Sequence, residues 1–177
     1  SDLRAADRIR ERFAAEGKNA ICYGMGNGLD DVKTVSNVEK HIVVAPAALE
    51  AAKYLERTFG TPYEIAYPLV DELVYDMDYS GKKVLVVQQQ VIGNAIREEI
   101  LKKAPDVQVT VASWFMMKSE LRQDGDLHLR DEDDYMELVE SGDFDVIYAD
   151  HCMERMTPKF AGIFVDTVHF AVSGRLK

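Results

Sequence analysis

Short apolar runs alternate with amphipathic segments along most of the 177-residue chain, and this alternation constrains the fold more than any other feature. Runs such as KVLVVQQ (83–89) and FDVIYAD (144–150) have the length of strands, and their near-continuous apolar character is typical of strands covered on both faces. Segments such as AALEAAKYLERTFG (47–60) place apolar residues at helical spacing and end on glycine. Strands that alternate with helices predict right-handed crossovers and parallel sheets, so the fold class is α/β.

The alternation divides near the hydrophilic segment YSGKK (79–83), which is typical of a linker. The predicted strands are residues 19–25, 41–46, 62–68, 83–89, 107–114, 144–150 and 163–170. The predicted helices are residues 2–16, 29–39, 47–60, 69–78, 91–104 and 131–142, and residues 153–162 hold a short helix interrupted near Pro158. We therefore predict two tandem Rossmann-like three-layer units, residues 1–80 and 81–177, with one continuous doubly wound sheet as the alternative.

Charge and cysteine content exclude several classes of protein. The net charge of −10 argues against binding along a nucleic-acid backbone, which requires clustered Lys and Arg. The two cysteines, Cys22 and Cys152, are far apart and match neither a disulfide framework nor a paired Cys-x-x-Cys zinc pattern. The first residues are charged and amphipathic, and no apolar run approaches membrane-spanning length, so we expect a cytoplasmic protein with reduced thiols.

Ligands in open α/β sheets bind beyond the carboxyl ends of the strands, and a glycine-rich segment, CYGMGNG (22–28), follows the first predicted strand. Its glycines permit backbone N–H groups to approach an anion, which makes Gly24, Gly26, Asn27 and Gly28 candidate cofactor contacts. The G-x-G-x-G spacing does not match the dinucleotide fingerprint. A tight strand-to-helix turn and a loop facing another ligand remain alternatives. A further strand-end segment, VQQQVIGN (87–94), lacks the Gly-Lys-Ser/Thr of a phosphate-binding loop.

The segment ADHC (149–152) ends another predicted strand on three side chains that can hold a proton or a metal ion. Adjacent residues of an extended chain point to alternating sides, so we expect Asp150, His151 and Cys152 not to converge on one ion unless the chain bends there. They are interpreted as a polar strand end that lines a cleft. The alternatives are a core cysteine beside a hydrogen-bonded histidine and a complete metal site within the chain, which would need further ligands from elsewhere. The acidic run 131–134 lacks the EF-hand spacing and is interpreted as a helix N-terminus.

Three stretches, in the same order along the chain, resemble the nitrogenase component 1-type oxidoreductases. They are VEKHIVVAPAALEAAKYLERTFGTPYEIAYP (38–68), GKKVLVVQQQVIGNAIREEILKKA (81–104) and DFDVIYADHCMERMTPKFAGIFVDTVHFAVSG (143–174). The resemblance covers most of the chain. Members of this family arrange three Rossmann-like domains around a metallocluster or tetrapyrrole cavity, and an ATP-dependent iron–sulfur reductase delivers their electrons.

The resemblance implies that this chain comprises two such domains, as a fragment or a shortened relative. The strand ends would then open onto a shared cavity. The iron–sulfur cluster, other metallocluster or tetrapyrrole would be completed by regions outside the chain or by a homologous subunit, and the chain alone would be inactive. The resemblance places Asp150, His151 and Cys152 in the cavity lining, with Cys22 and His169 as further contacts. Two alternatives are a non-catalytic α/β module that binds a small ligand or a protein, and an enzyme that binds a phosphate ligand through GMGNG.

Overall fold

The structure, a computed structural model, describes residues 4–24, 28–169 and 171–172. Within these ranges the strands are β1 His41–Val43, β2 Tyr63–Ile65, β3 Lys83–Val87, β4 Gln108–Ser113, β5 Leu127–His128, β6 Val146–Ala149 and β7 Ile163–Asp166. The α-helices are α1 Ala5–Ala15, α2 Leu29–Val32, α3 Leu49–Phe59, α4 Gln90–Lys103, α5 Glu132–Ser141 and α6 His151–Glu154. Short 3₁₀ helices span Pro46–Ala48, Val70–Glu72 and Ser119–Leu121.

Five of these strands form one parallel sheet with the order β5-β4-β3-β6-β7. Every neighbouring pair in it is parallel, with Val84 opposite Val109 on one side of β3 and opposite Val146 on the other. The chain therefore builds outward from β3 to one edge and then returns to build the other edge. This order creates a topological switch point between β3 and β6, where ligands bind in open α/β sheets. The predicted α/β class with parallel sheets is confirmed.

The five-stranded sheet is buried on both faces because successive strand residues point to opposite sides. Val84 and Val86 pack in one cluster with Ile96 of α4. Leu85 and Val87 pack in a second cluster with Tyr135 of α5. The near-continuous apolar sequence of β3 follows from this double burial.

Helix α4 approaches β4 unusually closely at Gly93. A Cβ atom at this position would lie 2.6 Å from the Val111 Cγ1 atom, well inside van der Waals contact. Val111 is fully buried and β-branched, so it has little freedom to move away. The glycine therefore sets the distance between the helix and the sheet.

The first part of the chain forms a second, two-stranded parallel sheet from β1 and β2. Helix α3 connects the two strands and ends at Gly60, whose φ of 73° is the left-handed conformation that glycine adopts at low cost. The strands thus form two separate sheets among the described residues, unlike the continuous sheet considered as the alternative. The division into domains near residue 80 stays a prediction, and the cluster around Val84 includes Ile9 and Tyr67 from the first part of the chain.

Three predicted elements in the first part differ from the structure. Residues 18–23 form no strand, and Ile21 and Tyr23 stay 40% and 36% exposed, so pairing there would gain little apolar burial. The predicted helix 29–39 is the single turn α2 followed by hydrogen-bonded turns. The predicted helix 69–78 is a 3₁₀ turn, because the Tyr75 N–H donates to the hydroxyl of Tyr148 at 3.0 Å instead of continuing a helical ladder.

Within the described ranges, none of the helices combines the length and the apolar character needed to cross a membrane.

Candidate functional site

Two polar segments meet the switch point of the five-stranded sheet. Gln88, Gln89 and Gln90 follow β3, and Asp150, His151 and Cys152 follow β6. Because β3 and β6 are parallel neighbours, their carboxyl ends lie at the same edge of the sheet. This edge is therefore where a ligand site is expected in an open α/β sheet.

The three glutamines join the end of β3 to three other parts of the chain. Gln88 and Gln90 are almost fully buried, and Gln89 is 8% exposed. Each side-chain amide donates to a distant backbone carbonyl: Gln88 to Val168 at 3.0 Å, Gln89 to Val44 at 2.7 Å and Gln90 to Lys118 at 2.9 Å. Since these carbonyls follow β7, β1 and β4 respectively, the glutamines hold several strand ends together. The sequence pattern does not reveal this role.

The same glutamines use donors at the N-terminus of α4. The Gln89 side-chain oxygen accepts the Val91 N–H at 2.9 Å, and the Gln88 oxygen accepts the Gln89 N–H at 3.0 Å. A phosphate bound to this helix N-terminus would need such donors. These backbone donors at the start of α4 are thus occupied by glutamine side chains.

Asp150 fixes the turn after β6. Its side chain is fully buried, with Oδ1 accepting the Cys152 N–H at 3.1 Å and Oδ2 accepting the His169 N–H at 3.0 Å. Oδ1 of Asp166, at the end of β7, accepts the His151 N–H at 3.0 Å. Asp150 is therefore the N-cap of α6, and the turn is held from two strands.

This turn brings three potential metal ligands together. One ligand atom each from Asp150, His151 and Cys152 lies within 4.8 Å of the other two. Nδ1 of His151 is 3.3 Å from Oδ1 of Asp150, and Sγ of Cys152 is 3.9 Å from both ring nitrogens of His151. The bend that convergence requires is present, because α6 begins at His151 and the chain is no longer extended there.

His169 lies beside this turn but is buried, with a relative exposure of 1%. Burial lowers the pKa of its imidazole to about 4, and the nearby Asp150 carboxylate opposes that shift. Nδ1 accepts the Ala171 N–H at 3.3 Å, so the neutral ring carries its proton on Nε2. The structure therefore places the His169 backbone beside Asp150, with the imidazole buried rather than facing a cavity.

An apolar edge borders His169 at the end of β4. The ring centroid of Phe115 lies 6.1 Å from that of His169. Phe115 is 48% exposed and Met116 is 65% exposed, and Met116 has a positive φ of 49°. Sequence reasoning assigned Phe115 no role, although a large apolar side chain directly after a strand is a recognisable signal of a binding edge.

The other predicted site residues lie away from this turn or outside the described residues. Sγ of Cys22 donates to the carbonyl of Ala6 at 3.5 Å, and burial raises the pKa of that thiol. Gly24 and Gly28 are exposed, and the Gly28 N–H donates to a carboxylate oxygen of Asp31 at 3.2 Å. Gly26 and Asn27 lie outside the described residues. In the described part of the glycine loop, the Gly28 N–H that was a candidate contact for an anionic ligand is thus bonded to the Asp31 carboxylate.

A cleft of about 410 Å³ lies between α4, the segment after β2 and the loop 120–123. Its lining carries both signs of charge, including Glu98, Lys102 and Arg122, and it does not include the Asp150 turn. Its volume falls in the range of small-molecule pockets, roughly 300–1,000 Å³.

No protein-family model matches the sequence, and no curated protein matches it either.

The cysteines do not fit a complete iron–sulfur cluster. Such clusters are usually held by four thiolates, and the sequence contains two cysteines. Of these, Cys22 packs against α1 and Cys152 lies at the strand edge. At this edge the chain thus offers one thiol, one partly exposed imidazole and one buried carboxylate.

Proposed function

We propose that this chain is part of a cytoplasmic oxidoreductase similar to nitrogenase component 1, the electron-accepting component of an ATP-dependent reductase system. In this proposal the chain forms one wall of a cofactor cavity, and the metallocluster or tetrapyrrole is held mainly by regions outside the chain. The observation that carries the proposal is the convergence of Asp150, His151 and Cys152 at the switch point of a parallel sheet.

The arrangement around the turn supports a wall rather than a complete site. His151 and Cys152 are partly exposed, so both can face a group outside the chain. Phe115, whose ring lies 6.1 Å from that of the neighbouring His169, and Met116 after it add exposed apolar surface suited to a large and weakly polar cofactor. The buried His169 supports this wall from behind, and we assign no chemical step to the chain by itself.

The test uses the full-length gene product, purified without oxygen together with the reductase component expected for this family. We expect a coloured protein that contains iron or a tetrapyrrole and whose optical spectrum changes on addition of reductase and ATP. Cys152→Ala is expected to shift that spectrum, whereas Cys22→Ala, whose thiol packs against α1, is the matched control. A colourless full-length protein without iron or tetrapyrrole would refute the proposal.

A second candidate is a non-catalytic module that binds a small ligand, and the 410 Å³ cleft beside α4 favours it. Ligands that bind the native state raise the melting temperature. A thermal-shift screen would support this candidate if a compound stabilises the wild type but not a Glu98→Lys variant. Because Glu98 lines the cleft and not the Asp150 turn, the two functions are separable by mutation.

A further inference from the structure

We infer that Asp150, His151 and Cys152 bind one divalent transition-metal ion of the zinc type within this chain. This inference rests on the geometry of the turn and not on the proposed redox function. It concerns a single ion held by neighbouring residues, not a cluster completed elsewhere.

Two of the three distances between the ligand atoms are close to those of a tetrahedral site. Zinc bonds of about 2.0–2.1 Å to nitrogen and oxygen and about 2.3 Å to sulfur place N and O roughly 3.3 Å apart, and N and S roughly 3.6 Å apart. The structure has Nδ1 of His151 at 3.3 Å from Oδ1 of Asp150 and at 3.9 Å from Sγ of Cys152. The third pair, a carboxylate oxygen of Asp150 and Sγ of Cys152, lies within 4.8 Å, against the roughly 3.6 Å that a tetrahedral ion requires. The partly exposed Cys152 side chain therefore has to move by up to about 1 Å for all three residues to bind one ion.

The backbone of the turn is already fixed in the arrangement that binding needs. Both oxygens of Asp150 accept backbone N–H groups, and the His151 N–H is held by Asp166. A carboxylate oxygen has a second lone pair, so Oδ1 can accept the Cys152 N–H and still bind a metal. Little conformational entropy would then be lost on binding, because one ligand is buried and rigid while the other two are partly exposed to an entering ion.

The types of ligand select the class of metal. Imidazole and thiolate favour Zn²⁺ and related ions over Mg²⁺ and Ca²⁺, which prefer oxygen ligands. Three protein ligands leave the fourth tetrahedral position open, as in zinc sites that bind water or substrate. The simpler interpretation is a helix N-cap with a neighbouring ion pair, which predicts no metal binding.

Titration of the reduced, metal-free 177-residue chain with Co²⁺ distinguishes these interpretations. Cobalt replaces zinc in such sites, and a bound thiolate adds a charge-transfer band in the near ultraviolet. We expect this band, together with visible bands of tetrahedral intensity, to saturate at one equivalent and to disappear on addition of Zn²⁺. No band, or a band that stays after Zn²⁺ is added, would overturn the inference.

Variants identify the ligands. Cys152→Ser should abolish the charge-transfer band. His151→Ala should weaken Co²⁺ binding by at least roughly tenfold, because the loss of a residue that only supports a metal ligand already has an effect of that size. Cys22→Ser is the matched control and should keep the wild-type spectrum. Retention of the band in Cys152→Ser, or its loss in Cys22→Ser, contradicts the assignment. Circular dichroism confirms that each variant is folded, and since neither reductase nor cluster is present, failure of the proposed redox function leaves this result intact.

Discussion

The ion pair between Arg97 and Asp126 gives the sharpest test of how the structure is held together. Arg97 lies on α4 and is 3% exposed, and Asp126 precedes β5 and is 1% exposed. The Asp126 carboxylate accepts a guanidinium N–H of Arg97, the Val111 N–H at 3.1 Å and the Gln123 N–H at 2.9 Å. One side chain thus connects a helix, a central strand and the loop that leads to β5.

Replacing Asp126 with Asn keeps the shape of the side chain but removes its charge. The guanidinium then stays buried without a counter-ion. Removing one partner of a buried ion pair lowers the free energy of unfolding by about 3–5 kcal/mol. The amide nitrogen of Asn would also face a backbone N–H, which cannot accept a hydrogen bond. Because domains are stable by only about 5–15 kcal/mol, this loss should be obvious.

Urea denaturation followed by circular dichroism measures the loss, and a double-mutant cycle assigns it to the pair. Arg97→Met removes the buried charge, so Asp126→Asn/Arg97→Met should lose about 2 kcal/mol less than the sum of the single variants. Glu99→Gln breaks a solvent-facing pair with Lys102 on the same helix and should cost less than about 0.5 kcal/mol. The reasoning is refuted if Asp126→Asn costs under about 1 kcal/mol, or if the single losses add within about 0.5 kcal/mol.

Three further predictions concern the buried groups around the sheet. With a pKa of about 4 in the folded chain against an ordinary 6.5, His169 binds its proton only in the unfolded state over that interval. The free energy of unfolding should therefore fall by on the order of 2 kcal/mol between roughly pH 7 and pH 5. His169→Gln should flatten this pH dependence, whereas His128→Gln, at an exposed position, should keep it. Gly93→Ala should lower the melting temperature, because crowding Val111 costs about 1–3 kcal/mol and exceeds the gain of up to about 1 kcal/mol in helix propensity; a rise would contradict the close packing. Tyr148→Phe removes the acceptor of the Tyr75 N–H and should cost about 1–3 kcal/mol in urea denaturation, with faster hydrogen exchange at that amide; unchanged exchange would argue against the bond.

The strands of the larger sheet could be predicted because buried strands have apolar sequences that are recognisable over a few residues. Strands β3, β4, β6 and β7 consist largely of apolar residues, since each is covered on both faces or pairs with a strand that is covered on both faces. The bounds of each strand were predicted within a few residues. Strand β5 has two residues, Leu127 and His128, too few for any period to be read. The predicted strand 19–25 failed for the opposite reason, since an apolar run alone does not supply a neighbouring strand.

The candidate site could be predicted in its residue types but not in its geometry. Aspartate is a favoured N-cap, so Asp150 could have signalled that a helix begins at His151 instead of near residue 153. The glutamines are different, because their carbonyl partners lie 80, 45 and 28 residues away in the chain. No local pattern specifies such partners, since they depend on how distant strand ends meet.

The two polar segments at the switch point have different roles, one structural and one suited to binding. At the end of β3, Gln88 and Gln90 are buried and bonded to other parts of the chain, so this side holds distant segments together. At the end of β6, the buried carboxylate of Asp150 positions a thiol and an imidazole that remain partly exposed. Because Gln89 also bonds the carbonyl of Val44 after β1, the two-stranded sheet is held against this same edge. A Gln89→Leu variant should therefore loosen the attachment of β1, while the spacing of ligand atoms within the Asp150 turn, which depends on Asp150 and Asp166, is retained.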